Sequence, residues 1–212
     1  MRAEAALFDL DGVLVDSRVP FARCLNAALE AHGFAARPAA ELHRYLGPPL
    51  YLTFLEMTGD EATAESCLRA YRSRYATTMV AETPVFPGIR EAVRMLAASV
   101  PLVVATSKSR PLAQALLDGL ELSGDFSAIV GPPLEALDES KVETVARALL
   151  EVDGRAPVAM VGDRRFDMVA ARAHGLRGIG VRWGIGSEEE LREAGAEALA
   201  AEPAELPGLI LG

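Results

Sequence analysis

The sequence predicts an α/β protein: a Rossmann-like parallel sheet with helices on both faces, plus an all-helical cap domain inserted after the first strand. Three observations support this prediction. Short apolar runs alternate with amphipathic helical patterns from residue 86 onward, as in parallel βα units. A similar apolar run occupies residues 5–8, and residues 16–84 between them show only helical periodicity. We therefore assign residues 1–15 and 85–212 to the core and residues 16–84 to the cap.

The cap helices are predicted from apolar positions at helical spacing. The first begins near residues 16–17 and ends at Gly33, because glycine commonly follows the last turn of a helix. Asp60 is suited to cap the longest helix, since its carboxylate can accept a hydrogen bond from the first turn. Shorter helical segments are expected at 39–46 and from residue 50 to Gly59.

The core elements follow in order along the chain. Strands are predicted at 5–8, 102–105, 126–130, 158–161 and 178–181. Helices are predicted at 89–97, 111–117, 141–150, 166–174 and 188–194. Ser187 and Glu190 are expected to form a capping box at the start of the last helix. Strands of uninterrupted apolar residues indicate a sheet that is buried on both faces.

Composition and charge limit the class of partner. The chain has 212 residues, half of them apolar, and a formal net charge of −9. That charge repels phosphate polymers, so neither nucleic acid nor an anionic membrane is expected as a partner. No apolar run approaches the ~20 residues of a membrane span, and the first residues do not resemble a signal peptide. Cys24 and Cys67 fall in apolar helical patterns, so we expect buried free thiols and a cytoplasmic location.

Polar side chains follow three of the predicted strands. Asp9 and Asp11 come after the first strand, Thr106 and Ser107 after the second, and Asp163 after the fourth. Ligands of open parallel sheets bind beyond the carboxyl ends of the strands. We therefore expect these residues to form one site, with the helical insertion over it as a lid.

Carboxylates in that site indicate a metal ion. Asp9, Asp11 and Asp163, with Asp167 four residues on, cannot share a pocket as bare charges, because each would raise the pKa of the others. An all-oxygen ligand set suits Mg²⁺. The three histidines are dispersed along the chain and offer no competing site for a softer metal.

The remaining polar residues suit a phosphoryl group. Thr106 and Ser107 offer a hydroxyl and backbone N–H groups in an anion-binding arrangement. Lys141 is predicted at a helix start, where the helix dipole disfavours a cation, so a phosphate-holding role explains its position better than a solvated surface lysine does. Together with a metal ion, these groups indicate phosphoryl transfer. One aspartate can attack phosphorus to form an aspartyl-phosphate while its neighbour moves the proton.

Four segments resemble, in order, the motifs of the haloacid dehalogenase superfamily of phosphohydrolases. They are Asp9-Leu10-Asp11-Gly12-Val13, Thr106, Lys141 and the segment 162–167. The chain is most similar to the phosphoglycolate phosphatase group. That likeness includes the segments Ala105-Thr106-Ser107-Lys108 and Gly47-Pro48-Pro49-Leu50 and the segment 181–187. The resemblance implies a Mg²⁺-dependent phosphatase acting on a small phosphorylated metabolite of the phosphoglycolate type.

The resemblance also implies a role for each motif residue. Asp9 would be the nucleophile and a metal ligand, and Asp11 the general acid/base that lends its backbone carbonyl to the metal. Asp163 would be the remaining carboxylate ligand, and Asp167 would orient water or Lys141. The phosphoryl group would be held by Thr106, Ser107 and Lys141. The cap loop that faces the active site would be formed by Gly47, Pro48 and Pro49.

Alternatives stay open on sequence grounds. A phosphomutase resembling β-phosphoglucomutase shares the first motif and the cap type, but it usually has Glu-Asp-Ser where this chain has Gly162-Asp163-Arg164. A nucleotide-directed phosphatase (5'-nucleotidase) is less favoured. A receiver-like signalling domain is also less favoured, because such domains lack a helical insertion after the first strand and this chain is predicted to have one. The sequence is compatible with a monomer or a homodimer. Arg164 and Arg165 are expected in surface ion pairs, and Tyr71 and Tyr75 in the core of the cap.

Overall fold

A computed structural model describes residues 2–212 and contains one six-stranded parallel sheet. The strands are β1 (Ala5–Phe8), β2 (Leu102–Ala105), β3 (Ala128–Val130), β4 (Val158–Gly162), β5 (Arg177–Val181) and β6 (Ala198–Ala200). Their order in the sheet is β3-β2-β1-β4-β5-β6. The predicted fold class is therefore confirmed. Because β1 lies between β2 and β4, the residues that follow these three strands meet at one edge of the sheet.

Helices cover both faces of the sheet, and four of them form a block between β1 and β2. The block contains α1 (Arg18–Ala31), α2 (Ala39–Leu42), α3 (Leu50–Thr58) and α4 (Glu61–Glu82). The remaining helices are α5 (Ile89–Ala97), α6 (Arg110–Gly119), α7 (Lys141–Leu149), α8 (Arg165–Ala173), α9 (Glu188–Glu193) and α10 (Leu206–Leu211). The Asp60 carboxylate accepts a hydrogen bond from Thr63 N at 2.8 Å, as its predicted cap role requires.

The sheet is apolar on both sides. Ala5 and Leu7 of β1 belong to one buried cluster, and Ala6 and Phe8 belong to another. Successive side chains of a strand point to opposite faces, so every residue of β1 contributes to a core. This explains why the strand is a continuous apolar run that ends abruptly at Asp9.

Two neighbouring connections join the helical block to the sheet. Val15 and Val85 form an antiparallel bridge. Asp16 N donates to the Pro84 carbonyl at 2.9 Å, and Phe86 N donates to the Leu14 carbonyl at 3.1 Å. The two connecting segments are thus paired side by side, so the helical block joins the sheet at one place. The rest of the block packs over the strand ends.

The sheet has one more strand than predicted. β6 is only three residues long and pairs in parallel with β5, and such a run is too short to show alternation. β3 begins at Ala128 rather than at Phe126, whose ring instead packs edge-on against Phe8 with centroids 6.1 Å apart. The capping box of α9 is half formed. Ser187 Oγ accepts from Glu190 N at 3.0 Å, but the Glu190 carboxylate binds elsewhere.

Both cysteines are buried free thiols, as predicted. Cys24 lies on α1 and Cys67 on α4, and both belong to the same buried hydrophobic cluster. Among residues 2–212, no helix combines the length and hydropathy needed to span a membrane.

Candidate active site

Three buried carboxylates converge at the carboxyl ends of β1 and β4. Asp9 follows β1 directly, Asp163 follows β4, and Asp167 lies in the first turn of α8. Each offers an oxygen within 4.8 Å of the other two. The turn after β2 places Thr106 and Ser107 in the same cleft as Asp9. The structure therefore brings together residues that are separated by more than 150 positions in the chain.

Lys141 lies between two of these carboxylates. Its Nζ is 2.7 Å from Asp9 Oδ1 and 2.9 Å from Asp167 Oδ1. The first turn of α7 is capped by Ser140 and Glu143, which bind each other's backbone N–H groups, so Lys141 is not needed for capping. Burial alone would lower the pKa of Lys141, but the charges of Asp167 and Asp9 outweigh it and raise that pKa. Lys141 is therefore a buried cation in contact with Asp9.

Asp163 is enclosed on several sides. Its Oδ2 accepts a hydrogen bond from Ile185 N at 2.8 Å. Gly12 has a φ of +86°, and a Cβ there would overlap the Asp163 carboxylate, so only glycine permits this approach. Burial and the charges of Asp167 and Asp9 raise the pKa of Asp163 well above its ordinary value.

The donor set fits a divalent cation. Within residues 2–212, Asp163 Oδ1 is buried without a hydrogen-bond partner, and an unpaired buried carboxylate oxygen is costly. Burial, together with Asp167 and Asp11, raises the pKa of Asp9 to about 6 even though Lys141 opposes the rise. A hard cation beside Asp9 and Asp163 would offset both penalties.

The Asp167 carboxylate binds two neighbours of the Asp9–Asp163 pair. Its Oδ2 accepts from Arg164 N at 3.0 Å while its Oδ1 binds Lys141. Asp167 therefore fixes both the lysine and the turn that carries Asp163.

The Asp11 carboxylate binds a different lysine. Its Oδ2 is 2.9 Å from Lys108 Nζ. Lys108 also lies 3.1 Å from the Tyr75 hydroxyl and 4.4 Å from the centroid of its ring. Burial would lower the pKa of Lys108, but the Asp11 carboxylate and Tyr75 raise it. Because Tyr75 belongs to α4 of the helical block, Lys108 links the block to Asp11.

The predicted cap loop lines the cleft opposite the aspartates. Gly47, Pro48 and Pro49 face the same space as Asp9 and Asp11. Tyr71 and Tyr75 stack with centroids 5.4 Å apart and are buried as predicted, and both also line the cleft. The segment 131–139 also lines the cleft, through four residues: Pro132, Ala136, Leu137 and Glu139.

Arg164 departs from the sequence-based expectation of a surface ion pair. It is only 9% exposed. Its Nε lies 3.0 Å from Glu190 Oε1, and its Nη1 donates to the carbonyl of Leu46, the residue just before the cap loop. Its ion pair with Glu190 is therefore largely buried rather than on the surface.

A family model describes the same set of motifs. The model of the haloacid dehalogenase-like hydrolases matches residues 6–181. These include all but the first residue of β1, all of β2 to β5, and every residue of the site described above except Ile185 and Glu190. The chain belongs to the haloacid dehalogenase-like hydrolases. The resemblance noted from the four motifs is thereby confirmed.

Several named relatives of this hydrolase are phosphatases, and others at 35% identity are tyrosine-protein kinases PtkA of Mycobacterium. It is 37% identical over 196 residues to a 5'-nucleotidase of Pseudomonas aeruginosa, covering 91% of this chain and 88% of that one. It is 35% identical over 199 residues to a phosphoglycolate phosphatase of Chromobacterium violaceum, covering 89% of each chain. A crystal structure of a predicted phosphatase from Clostridium acetobutylicum matches with a TM-score of 0.92 and 32% identity, covering 100% of this chain and 99% of that one. The hydrolase is therefore a phosphatase acting on phosphoric monoesters, as predicted.

Lys108 also belongs to the site of this hydrolase, although its motif implied no role for it. One sequence signal indicates it: of the 21 basic residues, only Lys108 and Lys141 are lysines. Both lie against aspartates of the first motif. Lysine presents a compact charge on a flexible stem, which suits contact with a single carboxylate oxygen better than the planar guanidinium of arginine does.

Replacing Lys108 with methionine is expected to lower kcat by about 10- to 100-fold, because the carboxylate of Asp11, the predicted general acid/base, loses the contact that orients it. Steady-state phosphate release measures this loss. Arg110→Met is a matched control, since Arg110 is exposed at the start of α6 and carries the same charge. A Lys108→Met variant with the kcat of the control would show that Lys108 does not serve the reaction.

Proposed function

We propose that this hydrolase is a Mg²⁺-dependent phosphatase that cleaves a small phosphomonoester through an aspartyl-phosphate on Asp9. The observation that carries the proposal is the position of Asp9. Its carboxylate lies in the cleft at the end of β1, held by Lys141 and adjacent to the unpaired oxygen of Asp163.

Mg²⁺ would be held by the carboxylates of Asp9 and Asp163 and by the backbone carbonyl of Asp11. When bound, it supplies positive charge that neutralises the phosphoryl oxygens and the nucleophile. Asp167 is close enough to join the set, but its two oxygens already bind Lys141 and Arg164 N. A supporting role therefore suits it better.

The chemistry of this chain's residues follows in two steps. In the first, an oxygen of Asp9 attacks phosphorus, the bond from phosphorus to the leaving oxygen breaks, and Asp11 gives that oxygen a proton. In the second, Asp11 takes a proton from water as the water oxygen attacks phosphorus, and the bond from Asp9 to phosphorus breaks. Inorganic phosphate leaves, and both aspartates return to their starting states.

The phosphoryl group would be held by Thr106, Ser107 and Lys141. Thr106 is buried, and its Oγ1 already accepts a hydrogen bond from Lys108 N at 3.1 Å, which directs its hydroxyl hydrogen elsewhere. Lys141 Nζ lies 2.7 Å from Asp9 Oδ1. A cation at that point stabilises the charge that develops as phosphorus is transferred.

Two substrate classes are supported by different observations. The phosphoglycolate phosphatase likeness supports a small acidic phosphomonoester. The 5'-nucleotidase likeness supports a nucleoside monophosphate, and so do the aromatic and apolar side chains that line the cleft beyond the aspartates, among them Phe21, Tyr51, Leu68 and Leu112. Phosphate release from 2-phosphoglycolate, nucleoside 5'-monophosphates and p-nitrophenyl phosphate, each with Mg²⁺ and with chelator, tests the proposal. Absence of release from every phosphomonoester would contradict it.

Stabilisation by Mg²⁺ is expected to depend on pH through Asp9. The pKa of Asp9 rises from 3.8 to about 6 on folding without metal. The fold therefore binds a proton there that the unfolded chain does not, and the contribution of Asp9 to metal-free stability falls as pH rises through that window. Mg²⁺ competes with this proton, so its affinity should weaken about tenfold per unit below about pH 6.

Thermal unfolding with and without Mg²⁺, measured at several pH values, checks this expectation. The increase in Tm caused by Mg²⁺ should be larger at about pH 7.5 than at about pH 5. Asp9→Asn should flatten this dependence. An equal increase at both pH values in the unaltered protein would show that Asp9 is not a ligand.

A further inference from the structure

The cap loop rests on a small platform formed by the residues that follow Asp163. We propose that Arg164 is a positioning residue that fixes this loop over the active site, with Glu190 holding its guanidinium in place. The proposal rests on the proposed function, because the loop matters only if phosphoryl transfer occurs in the cleft beneath it.

Hydrogen bonding gives the first argument. Arg164 Nη1 donates to the Leu46 carbonyl, which directly precedes the Gly47-Pro48-Pro49 segment. Pro48 and Pro49 have no backbone N–H group, so that segment offers few donors of its own with which to dock. The loop can therefore dock through a backbone carbonyl as hydrogen-bond acceptor, and a guanidinium is a charged donor that binds a carbonyl strongly.

Packing gives the second argument. Gly47 has a φ of +112°, and a Cβ on it would lie 3.3 Å from the Phe166 ring and 3.7 Å from Arg164 Cγ. The loop therefore approaches the aliphatic stem of Arg164 and the neighbouring ring closely. The same side chain that binds the Leu46 carbonyl also forms part of the surface beneath Gly47.

The guanidinium itself is fixed from the core side. Glu190 Oε1 lies 3.0 Å from Arg164 Nε and accepts a further hydrogen bond from Arg165 N at 2.9 Å. Arg164 is 9% exposed, so few other conformations are open to it. Its backbone N–H donates to Asp167, the carboxylate that also binds Lys141. Arg164 therefore contacts both the residue that precedes the cap loop and the residue that supports Lys141.

Arg165 provides a matched control. It has the same charge and is adjacent in sequence, but its side chain is exposed and lies over the Phe166 ring with its guanidinium carbon 4.9 Å from the centroid. Replacing either arginine with methionine preserves the backbone donors to Asp167 and Glu190 and retains an unbranched stem. Only Arg164→Met removes the hydrogen bond to Leu46.

Amide hydrogen exchange measures the loop directly and does not require activity. In Arg164→Met, the peptide covering residues 46–52 should exchange at least about tenfold faster, as expected for loss of a charged hydrogen bond that holds the loop. Peptides from β4 should be unchanged, and Glu190→Gln should have a smaller effect in the same direction. Arg165→Met should match the unaltered protein.

Kinetics provide the second readout. Arg164→Met should raise KM more than it lowers kcat. With glycerol present, it should also raise the share of phosphoryl groups transferred to glycerol rather than to water, because a released loop admits the larger acceptor. Arg164→Lys should recover part of both effects.

Three results would overturn the proposal. They are unchanged exchange in residues 46–52, acceleration of equal size in β4, and an Arg165→Met variant that behaves like Arg164→Met. If the unaltered protein shows no phosphatase activity, the proposed function fails while hydrogen exchange still decides the role of Arg164.

Discussion

Asp9→Asn is expected to abolish phosphate release, with a loss of about 10⁴-fold or more, while the protein stays folded. The amide keeps the shape of the side chain but is a far weaker nucleophile than the carboxylate. The fold should tolerate the change because the site disfavours charge at this position: the pKa of Asp9 is raised to about 6 without metal. Removing that charge relieves repulsion from Asp167 and Asp11.

Steady-state phosphate release and thermal unfolding in chelator check both halves of this expectation. Asp153→Asn is the matched control, since Asp153 is exposed and has a φ of 50°, a conformation that asparagine also adopts. Asp9→Asn should show an unchanged or higher Tm. An Asp9→Asn protein that retains more than about 1% of the activity would remove Asp9 from the nucleophile role.

Lys141→Met has the second largest expected effect, and it acts on both activity and stability. Activity should fall about 10³-fold, since a preorganised charge at the phosphoryl group is lost. Stability should fall by about 3–5 kcal/mol in chelator, because the buried carboxylates of Asp9 and Asp167 lose their shared cation. Mg²⁺ should restore part of the stability and little of the activity.

A double substitution separates these two effects. Asp9→Asn combined with Lys141→Met removes a carboxylate together with the cation, so it should be less destabilised than Lys141→Met alone. Denaturant unfolding in chelator measures the difference. If Lys141→Met alone unfolds at the same denaturant concentration as the unaltered protein, the ion pairs of Lys141 do not contribute to the fold.

Local pattern was sufficient to predict most of the architecture. β1 and β2 have the predicted bounds, because each is a buried apolar run stopped by polar residues. β6 was not predicted, since Ala198–Ala200 is recognisable as a strand only through its pairing with β5. The sheet order was not predicted either. Pairing between distant segments is a property of packing rather than of local sequence.

The candidate site was also predicted only in part. Residues directly after strands, such as Asp9, Thr106 and Asp163, were predicted because parallel strand ends share one edge. The sequence predicted that the helical block faces the site, but it did not predict the individual side-chain contacts between the core and the block. Lys108 meets Tyr75 across 33 positions, and Arg164 meets Leu46 across 118. Such contacts depend on how the helical block sits over the sheet, which no single segment encodes.

The most direct test of the account is to identify the residue that carries the phosphoryl group during turnover. The protein is mixed with Mg²⁺ and a phosphomonoester substrate, quenched in acid, and mapped by mass spectrometry of its peptides. A parallel sample is treated with borohydride, which reduces an aspartyl-phosphate to homoserine. The account predicts phosphorylation and reduction at Asp9 alone, absent in Asp9→Asn. Phosphorylation at another residue, or turnover with no covalent label on the protein, would contradict it.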